Sequence, residues 1–144
     1  MVDVGHKAIT KRTAKAEATV LINSEISTLI RDNLIKKGDV LTIAQIAGIM
    51  GAKKTHDLIP LCHSIVLSKV DVNLRLDDVT DRIVVTSSVV TYDRTGAEME
   101  AIVGAMMAAV TVYDMCKAVS KDIVITDVRL MEKTGGVRGD YVRG

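Results

Sequence analysis

Apolar residues along the chain change period several times, and each change predicts an element. Residues 1–13 are polar and basic, the composition of a flexible or docking arm. From Ala14 to Ile22 (AKAEATVLI) weak alternation passes into an apolar run, which predicts a strand. Asn23 or Ser24 can cap a helix reaching about Asn33, with Ile26, Leu29, Ile30 and Leu34 on one stripe. Lys37-Gly38-Asp39 interrupts it. Thr42 to Lys54 predicts a second helix whose buried side is Ile43, Ile46, Ala47 and Met50. Val70, Val72, Leu74 and Leu76 then alternate with Asp71, Asn73 and Arg75, the period of a half-buried strand. Asp77 to Asp81 makes the turn and Arg82 to Thr91 returns as the partner. Beyond Gly96, a long apolar helix runs from Ala97 to about Val119, with Gly104, Ala105, Ala108 and Ala109 small enough for close packing. Asp122 to Met131 predicts a last strand before the tail KTGGVRGDYVRG. The order β-α-α-β-β-α-β is a split βαβ pattern. It predicts an α+β fold: a ferredoxin-like sandwich, its antiparallel sheet packed by helices, with one added helix.

Composition narrows the function classes. With 144 residues, of which 48% are hydrophobic and 26% charged, the chain suits one compact soluble domain spanning residues 1–144. A net charge of +1 creates no field for polyanions, and three Tyr without Phe or Trp offer no base-stacking platform, so no nucleic acid is expected as a partner. No run approaches 18 apolar residues and the start lacks a signal region, so no membrane partner is expected and the cytoplasm is the expected location. Cys62 and Cys116 are expected as free thiols, and the absence of a CxxC pair leaves no recognisable metal-ligand set.

The chemistry concentrates in KKTHDLIPLCHS, Lys53 to Ser64. Pro60 must end the preceding helix, which places Cys62 and His63 in a turn or loop where functional groups are displayed. Leu58, Ile59 and Leu61 are expected to anchor that segment. On the long helix Asp114 and Lys117 are three residues apart and share a face. They are either a solvated ion pair or, among Val112, Tyr113, Met115 and Cys116, a partly buried pair suited to acid–base work. Glu98 and Glu100 open the helix and point to different sides unless its first turn is irregular. Basic clusters at Lys36/Lys37, Lys53/Lys54 and Lys133/Arg138 matter only if the fold unites them. The GGVRG tail resembles a phosphate loop but has no Walker pattern. His6 and His56 read as surface residues, and adjacent Cys62 and His63 do not read as a nucleophile pair.

MVDVG near the start, KKTHDLIPLCH, GAEMEA, TVYDMCKA and KTGG, in this order and spacing, resemble the molybdenum cofactor biosynthesis protein C family, the cyclic pyranopterin monophosphate synthases. The resemblance spans nearly the whole chain. It implies a lyase that converts a 3′,8-cyclised dihydro-GTP to cyclic pyranopterin monophosphate and diphosphate, with no cofactor, in a homohexamer (a trimer of dimers) whose sites lie at subunit interfaces. By the same resemblance Asp114 and Lys117 are catalytic. Leu61, Cys62, His63, Met99, Glu100 and Glu98 contact substrate, and Lys37, Lys53, Lys133 and Arg12 are basic residues of the pocket. Ser64 stands where the family continues with proline, and many members have a further stretch ahead of MVDVG. The alternatives are a nucleotide-binding module without turnover, which the intact Asp114 and Lys117 argue against, and a metal-dependent hydrolase built on Cys62, His63 and the two glutamates.

Overall fold

The computed structural model describes residues 1–144. The elements run β1 (Thr10–Leu21), α1 (Ser24–Arg31), α2 (Val40–Lys53), a single turn α3 (Thr55–Leu58), β2 (Leu67–Asp77), β3 (Arg82–Asp93), α4 (Glu98–Cys116), β4 (Val124–Thr134) and a short β5 (Tyr141–Val142). The sheet is antiparallel throughout, in the order β2-β3-β1-β4-β5. Strands β1 and β2 are separated by β3, and β3 and β4 by β1, so each helical crossover skips one strand. The fold is the expected α+β, ferredoxin-like sandwich.

Local sequence explains most boundaries. Asn23 caps α1 by accepting from the Ile26 N–H at 2.9 Å. Asp39 caps α2 by accepting from the Thr42 N–H and hydroxyl, so the helix begins at Val40 rather than Thr42. Beyond α1 the backbone turns left-handed at Asn33, and Ile35, not Leu34, enters the core; Leu34 is exposed. The anticipated arm is shorter than residues 1–13, because β1 starts at Thr10 against Asp93. At the other end β4 continues past Met131 to Thr134 and carries Lys133.

The core is one cluster of buried side chains between the sheet and α4. Strand β1 contributes Ala14, Ala16, Ala18 and Val20, and α4 contributes Ala101, Ala105, Ala108, Ala109 and Val112. Helix α4 has the length and mean hydropathy (1.4) of a membrane span, yet most of its apolar surface faces the sheet and α2.

The packing of α2 overturns its expected buried side. Val40, Ala44, Gly48, Gly51 and Ala52 face inward, whereas Ile43, Ile46 and Met50 lie outward and Ala47 is half-buried. Bulk alone misleads here. A Cβ on Gly48 would stand 2.8 Å from the Gly104 carbonyl and 2.9 Å from Val72, so only the small-residue face fits against α4. The result is an exposed apolar band along α2, and Met106 and Val110 of α4 are exposed as well.

Candidate active site

Two groups of candidate residues lie at opposite ends of α4. Pro60 follows the single turn of α3, and Cys62 and His63 lie in the irregular stretch after it, as the proline requires. Of the three expected apolar anchors only Ile59 is half-buried; Leu58 and Leu61 are exposed. Buried Thr55 ties this segment down instead, donating from its hydroxyl to the Gly51 and Ala52 carbonyls. The His63 ring bonds the Val2 carbonyl at 2.7 Å; a carbonyl only accepts, so Nε2 carries the proton.

Beside this loop opens a cavity of about 500 Å³ that the N-terminal segment, Leu61, His63, the start of α4 and the chain after β4 enclose. Arg12, Lys7, His6, Lys133 and Arg138 line it, with Asp3 and Glu98 as the acidic groups. Thus Lys133 and Arg138 are united with Arg12, and His6, read from sequence as a plain surface residue, lines the cavity. The role of Lys7 and Asp3 was not apparent from sequence; their place within MVDVGHK was the available signal.

Arg12 is held by carbonyls rather than carboxylates, its guanidinium donating to Asp93 O at 3.3 Å and Arg94 O at 3.2 Å. Its charge is therefore not neutralised. Gly135 and Gly136 of KTGG have φ of +90° and +86°; a Cβ on Gly135 would strike the Lys11 carbonyl, and one on Gly136 the Arg12 guanidinium. These glycines let the tail cross directly over Arg12. Lys133 pairs with Glu98 at 2.9 Å.

The two helix-opening glutamates diverge, as a regular helix dictates. Glu98 faces the cavity, while Glu100 is 3% exposed with Oε2 unpartnered and Oε1 3.9 Å from Cys62 Sγ. Burial, with repulsion from Glu98 behind it, raises the Glu100 pKa; Cys62 is raised by burial and then by Glu100. A smaller recess of about 320 Å³ joins Cys62, Glu98 and Met99 to Leu61 and His63. Cys116 is fully buried and its thiol is pushed up to about 11 by that burial. No three His, Cys, Asp or Glu side chains are grouped as metal ligands.

The second group is at the far end of α4. Asp114 pairs with Lys117 at 2.9 Å and with Lys37 at 3.0 Å, and Lys37 also donates to the Asp114 carbonyl. Partial burial among apolar neighbours is not found: all three side chains are about half exposed. Hydrogen bonds from Lys117 and then Lys37 hold the Asp114 carboxyl below its usual range, so it stays ionised at neutral pH. Sixteen residues of α4 put this group about 24 Å from Glu98, outside the cavity. Lys53 is exposed at the end of α2, lines neither recess and makes no ion pair.

Fold and site define a small α+β protein whose cation-lined cavity suits an anionic small molecule. The MoaC family profile matches residues 1–136. A cyclic pyranopterin monophosphate synthase of Peptoclostridium acidaminophilum is 50% identical over 143 residues, covering 99% of this chain and 90% of that protein. Molybdenum cofactor biosynthesis protein 1 of Mus musculus is 52% identical and that of Drosophila melanogaster 56%, each over 99% of this chain. The chain spans only 22% and 25% of those two animal proteins. It belongs to the MoaC family.

Proposed function

We infer that this chain is a cyclic pyranopterin monophosphate synthase, a lyase of molybdenum cofactor biosynthesis that acts on 3′,8-cyclised dihydro-GTP and releases diphosphate. The observation that carries this reading is the convergence of Arg12, Lys133, Lys7 and Arg138 on one cavity beside the Leu61-Cys62-His63 loop. A triphosphate needs several cations, and the same charges stabilise diphosphate as it departs. Arg12 is suited to it because its partners are neutral carbonyls.

The conversion combines purine ring opening, pterin ring closure and cyclic phosphate formation, and so requires several proton transfers. In this reading Asp114 and Lys117 are the catalytic pair, with Lys37 as a second cation on the same carboxylate. Leu61, Cys62, His63, Glu98, Met99 and Glu100 contact substrate, while Arg12, Lys133 and Lys53 supply charge. One subunit holds these groups about 24 Å apart along α4, farther than a nucleotide-sized substrate allows for direct chemistry at both. The working site therefore combines the cavity of one copy with the Asp114 end of another, in a cytoplasmic homohexamer built as a trimer of dimers. The outward residues Ile43, Ile46 and Met50 of α2 and Met106 and Val110 of α4 supply apolar surface for such contact.

The test is turnover. Purified protein given the cyclised dihydro-GTP should release one diphosphate per pyranopterin formed. Tight binding of that nucleotide with no diphosphate release would identify a binding module instead.

A further inference from the structure

Gly96 borders both recesses and immediately precedes α4. A Cβ built there would strike Glu98 Oε2 and stand 2.6 Å from Oε1 and 2.7 Å from Cδ, and these three are the nearest atoms. The nearest obstruction is thus a single carboxylate. Gly96 is absent from the positive-φ positions of this chain, so its backbone is open to alanine. No positive φ requires glycine here, and the atoms nearest to an added Cβ all belong to the Glu98 side chain.

The carboxylate that occupies this space is itself well placed. Glu98 is the first residue of α4, whose N-cap Ala97 provides no side-chain acceptor, so a carboxylate folded back over Gly96 faces the positive helix end. From that position it holds Lys133 of β4 at 2.9 Å, with both side chains less than one-third exposed. We propose that Gly96 is a positioning residue: by having no side chain, it lets the Glu98 carboxylate fold back and clamp Lys133, which fixes how much positive charge the cavity offers an anionic ligand. Arg12 is left unneutralised, whereas Lys133 is balanced until a ligand competes for it. The inference rests on the synthase reading for its relevance to turnover, but its mechanism can be tested by anion binding alone.

The experiment measures calorimetric affinity for inorganic diphosphate in the native protein, Gly96→Ala, Glu98→Ala and the double variant. Gly96→Ala should keep the native melting temperature and bind diphosphate about three- to ten-fold more tightly, because displacing Glu98 frees a lysine for a charge-assisted contact. Glu98→Ala should do the same, and adding Gly96→Ala to it should change nothing further, since the carboxylate through which Gly96 acts is gone. Unchanged affinity in Gly96→Ala, an equal effect in the Glu98→Ala background, or failure of Gly96→Ala to fold would each overturn the proposal. Turnover of the native protein, measured alongside, tests the synthase reading separately.

Discussion

Asp114 shows how much a single side chain can carry without being buried. Its two lysine partners, not an apolar environment, hold its carboxyl down, and such exposed pairs contribute little to stability. Activity and stability should therefore separate cleanly. Asp114→Asn is expected to lose about 10²–10⁴-fold in single-turnover rate, the range for general acid–base help, with a melting curve close to native. Lys117→Ala should act similarly, and the double variant should be little worse than either single. Near-full turnover in Asp114→Asn would reduce the triad to a surface ion pair. Glu100 presents the opposite case. Burial raises its pKa, so the folded protein keeps this proton at pH values where an unfolded glutamate, titrating near about 4.3, has lost it. Stability from this group is then greatest at low pH and declines as pH rises toward the folded pKa. Glu100→Gln removes that slope, and its melting temperature should gain on the native protein as pH climbs above about 4. A difference that stays constant with pH would show that Glu100 is held as an anion.

At the scale of elements, the contact between α2 and α4 depends on absent side chains. A Cβ on Gly48 would meet the Gly104 carbonyl, Val72 and Ala108, while one on Gly51 would stand 2.5 Å from Met107 Cγ and 2.8 Å from Met107 Cβ, atoms beside the backbone that cannot swing away, with the Val103 carbonyl at 3.5 Å. Neither glycine leaves room for a methyl group. Gly48→Ala and Gly51→Ala are each expected to cost about 1–3 kcal/mol by overpacking the contact between the two helices. Urea denaturation of the two variants checks this; native stability in either would mean that the helices separate freely.

For the whole molecule, the separation of the two residue groups along α4 leads to a complementation test. Arg12→Ala disables the cavity end and Asp114→Asn the far end. Each alone should be inactive, but copies mixed by unfolding and refolding together should regain about a quarter of native turnover, if each site draws on two copies through an isologous contact. No recovery would place both ends in one subunit's site by a rearrangement within the chain. Met50→Glu, which puts a charge in the exposed apolar band, should lower both the assembled mass and turnover. A native mass in that variant would remove the band from the assembly contact.

Periodicity and end signals made most of the elements legible. Strand alternation from Val70 to Leu76, the Asn23 cap and the break at Pro60 all depend on backbone geometry that neighbouring residues impose, and each stands where the sequence places it. The motif match likewise identified His63, Glu98 and Arg12, which share the cavity. Burial was less legible. Ile43, Ile46 and Met50 have the composition of a core face, but the room between α2 and α4 admits only Gly48, Gly51 and small neighbours, and that room is set by α4 lying on the alanines of β1. Charge pairing was hidden for the same reason. Lys37 is 77 residues from Asp114, and Arg12 is far in sequence from the KTGG tail that covers it. Such contacts arise from strand order and helix packing, which place distant residues side by side in ways no local period encodes.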